Sequence, residues 1–210
     1  MSSILVLMRH GESIWNRENR FTGSVDVPLT PKGREEASRA AQLCPGVVFD
    51  IAYTSPLSRA RETAARLLEA LGCSTAPLVP EPLLIEKNYG ILQGLNKERV
   101  KAEYGAEKYR LWHRSYAVAP PGGESLEMVA ARTQPFFRQV VGEDLRLGKN
   151  VLLTAHGNVI RSLVMLVEKL DPEAIAEVEI GTAEPRVYRV EGGLEKVVRL
   201  FPKHPGREDG

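Results

Sequence analysis

Ile4-Leu5-Val6-Leu7-Met8-Arg9-His10-Gly11-Glu12 and Val151-Leu152-Leu153-Thr154-Ala155-His156-Gly157-Asn158 carry one local pattern twice. Each opens on a short apolar run of the kind that forms a strand buried on both faces. Each then reaches a histidine followed by glycine, where the backbone turns sharply and a ligand can approach closely. Working outward, helical spacing follows at Pro31–Leu43, with Thr30 as N-cap and Pro31 in the first turn. A strand is predicted at Ile51–Thr54 and a helix at Leu57–Leu71, ending at Gly72. Ala76–Glu86 is Pro-broken and extended. Two short helices, Asn96–Tyr104 and Glu107–Tyr116, join at Gly105. A long helix, bent by Pro135, spans Glu124–Arg146, and another spans Asn158–Leu170. Val187–Val190 and Val197–Phe201 pair as late strands. Alternating strands and helices imply an α/β three-layer sandwich with a mostly parallel central sheet flanked by helices. In such sheets the site lies beyond the carboxyl ends of the strands, where His10 and His156 both fall.

The 210 residues carry 28 Lys+Arg against 27 Asp+Glu, a net charge of +1. At a soft ~150 residues per domain this is one domain, residues 1–201, with a flexible tail at 202–210. The neutral balance argues against a nucleic-acid partner. No apolar run approaches the ~20 residues of a membrane helix, and the start has no basic leader or cleavage site. Cys44 and Cys73 form neither a CxxC motif nor a disulfide framework, which suits a reducing, cytoplasmic setting. The cations divide into 19 Arg and 9 Lys, an excess of planar forks suited to phosphate or carboxylate.

A lone strand-end histidine is ordinarily a satisfied, partly buried residue. Two at one sheet edge, with Arg9 adjacent, are not. A metal would want further ligands at HxH or HxxxH spacing, which the sequence lacks, so no metal site is expected. Arg9 points instead to an anion, with imidazole attacking phosphorus.

Arg9-His10-Gly11-Glu12 resembles the signature of the histidine phosphatase superfamily. The match extends through Ser13-Ile14-Trp15-Asn16, Glu18-Asn19-Arg20-Phe21-Thr22-Gly23, Glu86-Lys87-Asn88-Tyr89-Gly90-Ile91-Leu92-Gln93-Gly94-Leu95-Asn96-Lys97, Glu124-Ser125-Leu126 and His156-Gly157-Asn158 with Arg161. These segments are similar to those of the cofactor-dependent phosphoglycerate mutases and run from about residue 4 to about residue 190 of the chain. The resemblance implies interconversion of 3- and 2-phosphoglycerate in glycolysis and gluconeogenesis, with 2,3-bisphosphoglycerate as priming donor and no metal. It implies His10 as nucleophile, with Arg9, Arg59 and His156 around the phosphoryl group and Glu86 as proton donor and acceptor. Asn16, Thr22, Gly23, Tyr89, Lys97, Arg114, Gly157 and Asn158 would hold the rest of the phosphoglycerate. A homo-oligomer such as a dimer is compatible with the resemblance, and the sequence does not set the oligomeric state. Without the resemblance, Arg59 and Lys97 read as exposed helix residues.

The chain departs from the mutase pattern in places. Lys87-Asn88 stands where mutases commonly have Arg-His, and His113-Arg114 where they have two arginines. Ser24 replaces a tryptophan. Gly181-Thr182-Ala183-Glu184-Pro185 replaces a Pro-Thr-Gly-x-Pro-like segment, and the Pro120–Gly123 region is short. The alternative is therefore a phosphatase that passes the same phosphohistidine to water. A catalytically dead binding domain is the third reading, and the retained His10, Arg9, Arg59, Glu86 and His156 argue against it. The Pro/Gly content and the charges Lys203 and Arg207 lead to the expectation that the tail moves over the site mouth.

Overall fold

The computed structural model describes residues 2–200. The expected tail at 202–210 lies outside them. β1 (Ser2–Arg9) leads to a one-turn helix, α1 (Ile14–Arg17), and then to α2 (Pro31–Arg39). Thr30 caps α2 as expected, its hydroxyl accepting from Gly33 N–H at 3.0 Å. β2 (Ile51–Thr54), α3 (Ser58–Ala70) and β3 (Leu78–Pro80) follow. α4 (Lys97–Tyr104) and α5 (Ala106–Arg114) meet at Gly105, whose φ of +86° suits glycine.

The long helix expected at Glu124–Arg146 forms in three pieces: α6 (Leu126–Phe136), a π turn at Phe137–Val141 and α7 (Gly142–Arg146). Pro135 has no N–H for the helical ladder, and the wider turn opens just beyond it. β4 (Val151–Ala155) runs into α8 (Gly157–Val167), and α9 (Pro172–Glu177) precedes β5 (Pro185–Glu191) and β6 (Lys196–Arg199). α1 and α9 have no counterpart in the sequence reading, although Asp171 and Pro172 form an N-cap and first-turn pair.

The sheet order is β3-β2-β4-β1-β5-β6. β3, β2, β4 and β1 are parallel, and β5 and β6 add an antiparallel edge. The α/β sandwich with a mostly parallel sheet is therefore the observed architecture. Alternation along β1 and β4 explains the three layers. Leu5, Leu7, Leu153 and Ala155 face a core shared with α6 and α8, through Val129, Ile160 and Leu163. Val6, Met8 and Leu152 face the other, where α3 contributes Ala64, Leu67 and Leu68. A satellite cluster of Phe21, Tyr89, Leu92 and Val100 lies under α4 and α5. Among the described residues no helix is long and apolar enough to cross a membrane.

Candidate active site

Sheet register fixes the site. β1 and β4 pair in parallel with Arg9 opposite Ala155, and His10 N–H donates to Ala155 O at 3.0 Å. The next residue on each strand is then a histidine. The chain leaves β1 towards α2, which packs on α3 at one face of the sheet, and leaves β4 into α8 on the other face. Diverging connections at adjacent strand ends open the crevice that α/β sheets use for ligands. The His10 and His156 rings meet edge to face there, centroids 5.1 Å apart, and both are buried.

His10 Nδ1 lies 2.7 Å from Gly11 O. A carbonyl only accepts, so Nδ1 carries the proton and Nε2 keeps its lone pair. Burial holds His10 well below the usual imidazole range, and Arg59 and Arg9 push it further down. His156 is lowered well below that range by burial first, then by Arg59, His10 and Arg9. Both rings are thus neutral at pH 7. Gly11 is required by packing: a Cβ there would lie 2.2 Å from Gly33 O. Gly11 N–H also donates to Thr63 Oγ1 at 3.1 Å, a contact with α3 that no motif announces.

Arg59, expected from spacing alone to be exposed, is fully buried near the start of α3. Its guanidinium donates to Gly23 O and Val25 O, each at 2.8 Å. Burial brings its pKa down to about 10, against the opposing pull of Glu86 and Asp26. Arg9 donates to Ile180 O at 2.9 Å. No carboxylate forms an ion pair with Arg9 or Arg59 among the described residues. Arg9 Nε, Arg59 Nε, Thr22 Oγ1, Arg114 Nη1 and both His156 ring nitrogens are buried without a partner. Buried donors are ordinarily satisfied, so this cluster has the donor set of an anion cradle.

Glu86 sits across the crevice. Its Oε1 accepts from Lys87 N–H at 2.8 Å and Asn158 N–H at 3.2 Å. A Cβ on Gly157 would stand 3.6 Å from Glu86 Oε2 and 3.8 Å from Arg9 Nε, so Gly157 lies between the two. Asn158 Nδ2 donates to Tyr89 Oη at 3.0 Å, and Tyr89 packs on Phe21. Lys97, in the first turn of α4, holds its ammonium 5.8 Å from the Phe21 ring centre. Burial lowers it, and Arg9 and Arg114 lower it further. Arg161 feels the Arg114 charge as well. Arg9, Arg59, Lys97 and Arg114 therefore converge at one end of the sheet, as expected, with Arg161 beside them.

Asn16 lies in α1, in the loop region that follows His10. Its Oδ1 accepts from Ser13 N–H at 3.1 Å in the capping box of α1, which commits its acceptor to the loop after His10.

Two of the unmatched positions, Lys87 and His113, lie within the field of these cations. Lys87 is buried, donates to Trp112 O at 2.9 Å and lies 5.1 Å from the Tyr89 ring centre. Burial takes it down to about 8, with Glu86 opposing. His113 stands edge-on to Phe21, and burial followed by Lys97, Arg114, Arg161 and Lys87 lowers it to about 3. Glu179, absent from every motif, forms an ion pair with Arg114.

Known proteins resemble this chain over nearly its whole length. A protein from Gloeobacter violaceus named 2,3-bisphosphoglycerate-dependent phosphoglycerate mutase 2 is 48% identical over 203 residues, covering 96% of this chain and 92% of the relative. A 2,3-bisphosphoglycerate-dependent phosphoglycerate mutase from Parvibaculum lavamentivorans is 46% identical over 207 residues, covering 97% and 99%. Among solved structures, a mycobacterial glucosyl-3-phosphoglycerate phosphatase superposes with a TM-score of 0.80 at 26% identity, over 95% of this chain and 98% of that one. The family model described as histidine phosphatase superfamily (branch 1) matches residues 5–202. With paired strand-end histidines, buried arginines and near full-length relatives, the chain belongs to the histidine phosphatase superfamily.

Proposed function

We propose that the chain is a cytoplasmic 2,3-bisphosphoglycerate-dependent phosphoglycerate mutase, interconverting 3- and 2-phosphoglycerate through a phosphohistidine at His10. The observation that carries this reading is the neutral His10, its Nδ1 proton held by Gly11 O, beside buried donors with no partner. The orphaned donors fit 2,3-bisphosphoglycerate, which has two phosphates and a carboxylate. When bound, that cofactor supplies the phosphoryl group that primes His10.

His10 Nε2 attacks phosphorus, so a P–N bond forms as the P–O bond to the donor oxygen breaks. Arg9, Arg59 and His156 hold the phosphoryl oxygens in place, which is most of what phosphoryl transfer asks of a protein. Glu86 gives a proton to the departing oxygen and takes one from the attacking hydroxyl in the return step. Lys97, Arg114, Tyr89, Asn158 and Gly157 seat the carboxylate and the distal phosphate, with Thr22 and Gly23 at the phosphoryl end and Asn16 shaping the loop after His10.

A phosphatase reading has one specific observation in its favour. His113, uncharged in its cationic surroundings, stands where mutases commonly carry a second arginine. Purified protein should interconvert 3- and 2-phosphoglycerate with catalytic 2,3-bisphosphoglycerate, in the presence of chelator, faster than it hydrolyses p-nitrophenyl phosphate. Hydrolysis without interconversion would overturn the mutase reading in favour of the phosphatase.

A further inference from the structure

Glu179 lies in the segment between α9 and β5, and its carboxylate is paired with Arg114. Three arginines hold the main chain around it. Arg161 donates from Nε and Nη2 to Val178 O at 3.2 and 3.1 Å. Arg186 donates to Glu179 O at 3.0 Å, and Arg9 donates to Ile180 O at 2.9 Å. The backbone of residues 178–180 is thus fixed, while the Glu179 side chain is 74% exposed and turns from solvent onto Arg114. Its charge also reaches Arg9, Lys97 and Arg161, raising each of their pKa values against the larger lowering by burial. Glu179 is therefore a carboxylate placed within the field of the cations assigned above to the substrate.

We propose that the Glu179 carboxylate occupies the Nη2 side of the Arg114 fork in the free protein, leaving Nη1 open, so that a substrate carboxylate takes both nitrogens only by displacing Glu179, which thereby sets the affinity of acid-bearing phosphoesters. This rests on the assignment of Arg114 to the substrate carboxylate. Exchange needs only a side-chain rotation, because the main chain is anchored by Arg161, Arg186 and Arg9. A phosphoester without a carboxylate has no reason to displace Glu179.

The test is calorimetric titration of the full chain with 3-phosphoglycerate and with glycerol 3-phosphate, which has a hydroxymethyl group in place of the carboxylate. In E179Q the ratio of the two affinities should rise about two- to fivefold, the range expected when one exposed ion pair is removed. E179D keeps the charge but withdraws it by one methylene, and should shift the ratio in the same direction. An unchanged ratio in E179Q overturns the proposal. So does a ratio that moves in E179Q but stays at the wild-type value in E179D, since that is a field effect rather than occupancy. The ratio is read by binding, so absent mutase turnover would overturn the proposed function without altering this outcome.

Discussion

Lowering the pH from about 7.5 to about 5 in phosphate-free buffer should destabilise this fold, by about 2 kcal/mol through His113 alone, with His10 and His156 adding loss in the same direction. His10, His113 and His156 are all held below their ordinary value of 6.5 by burial first and by neighbouring cations second. For His113 the value is about 3. As pH falls through 6.5 the unfolded chain takes a proton on each ring and the folded chain does not, so the unfolded state gains. Stability is fully present above that pH and is lost below it, down to the folded values. The slope is about 1.4 kcal/mol per pH unit per histidine, so for His113 the ~1.5 units below the ordinary value cost about 2 kcal/mol. Urea unfolding followed by circular dichroism at the two pH values measures the loss. His113→Gln separates histidine from carboxylate titration, because it touches neither His10 nor His156. It should remove about 2 kcal/mol of the pH dependence. If His113→Gln and wild type lose equal stability, His113 is protonated in the fold and the cationic reading of its surroundings is wrong.

Two further substitutions probe separate parts of the structure. Arg59→Lys keeps the charge but cannot serve Gly23 O, Val25 O and a phosphoryl oxygen together, so transfer should fall about 100-fold with a change in urea midpoint worth no more than ~2 kcal/mol; turnover within threefold of wild type would remove Arg59 from the transfer step. Lys169 sits at φ +55°, just past α8, where Leu170 N–H closes back on Met165 O at 3.0 Å. Lys169→Gly should stabilise by about 0.5–1 kcal/mol, read as a raised urea midpoint with unchanged slope.

Local signals carried much of this structure. The apolar runs before His10 and His156 were legible as strands because both of their faces are covered, and the two His-Gly steps then located the crevice. Tertiary placement carried the rest. Arg59 has the spacing of an exposed helix residue, and it is buried because the loop at residues 23–25 folds two carbonyls onto its guanidinium. That contact spans more than 30 positions and leaves no periodic trace. Glu179 belongs to an irregular segment with no motif, and reaches Arg114 across a separation of 65 residues. The π turn after Pro135 lies between, since proline announces a break but not its form. His113 and Lys87 were visible only as departures; Lys87 is buried with its ammonium on Trp112 O, and His113 is half-buried against Phe21.

The excess of arginine over lysine now has a partial physical reason. A charge-neutral chain gathers Arg9, Arg59 and Arg161 in one buried crevice, where desolvation lowers all three. Each spends donors on main-chain carbonyls: Arg9 on Ile180, Arg59 on Gly23 and Val25, Arg161 on Val178. Those carbonyls belong to irregular segments, which a buried site must satisfy by some means. A guanidinium has five N–H donors in a rigid fork, so it ties down a loop and still presents donors to an anion. A lysine ammonium, with three donors on one nitrogen, has no such division of labour. The unpartnered Nε atoms of Arg9 and Arg59 are what remains after the loops are tied. The same guanidinium groups therefore brace the irregular backbone around the site and supply its positive field. That is why the relevant charge is the local one at the strand ends rather than the net +1 of the chain.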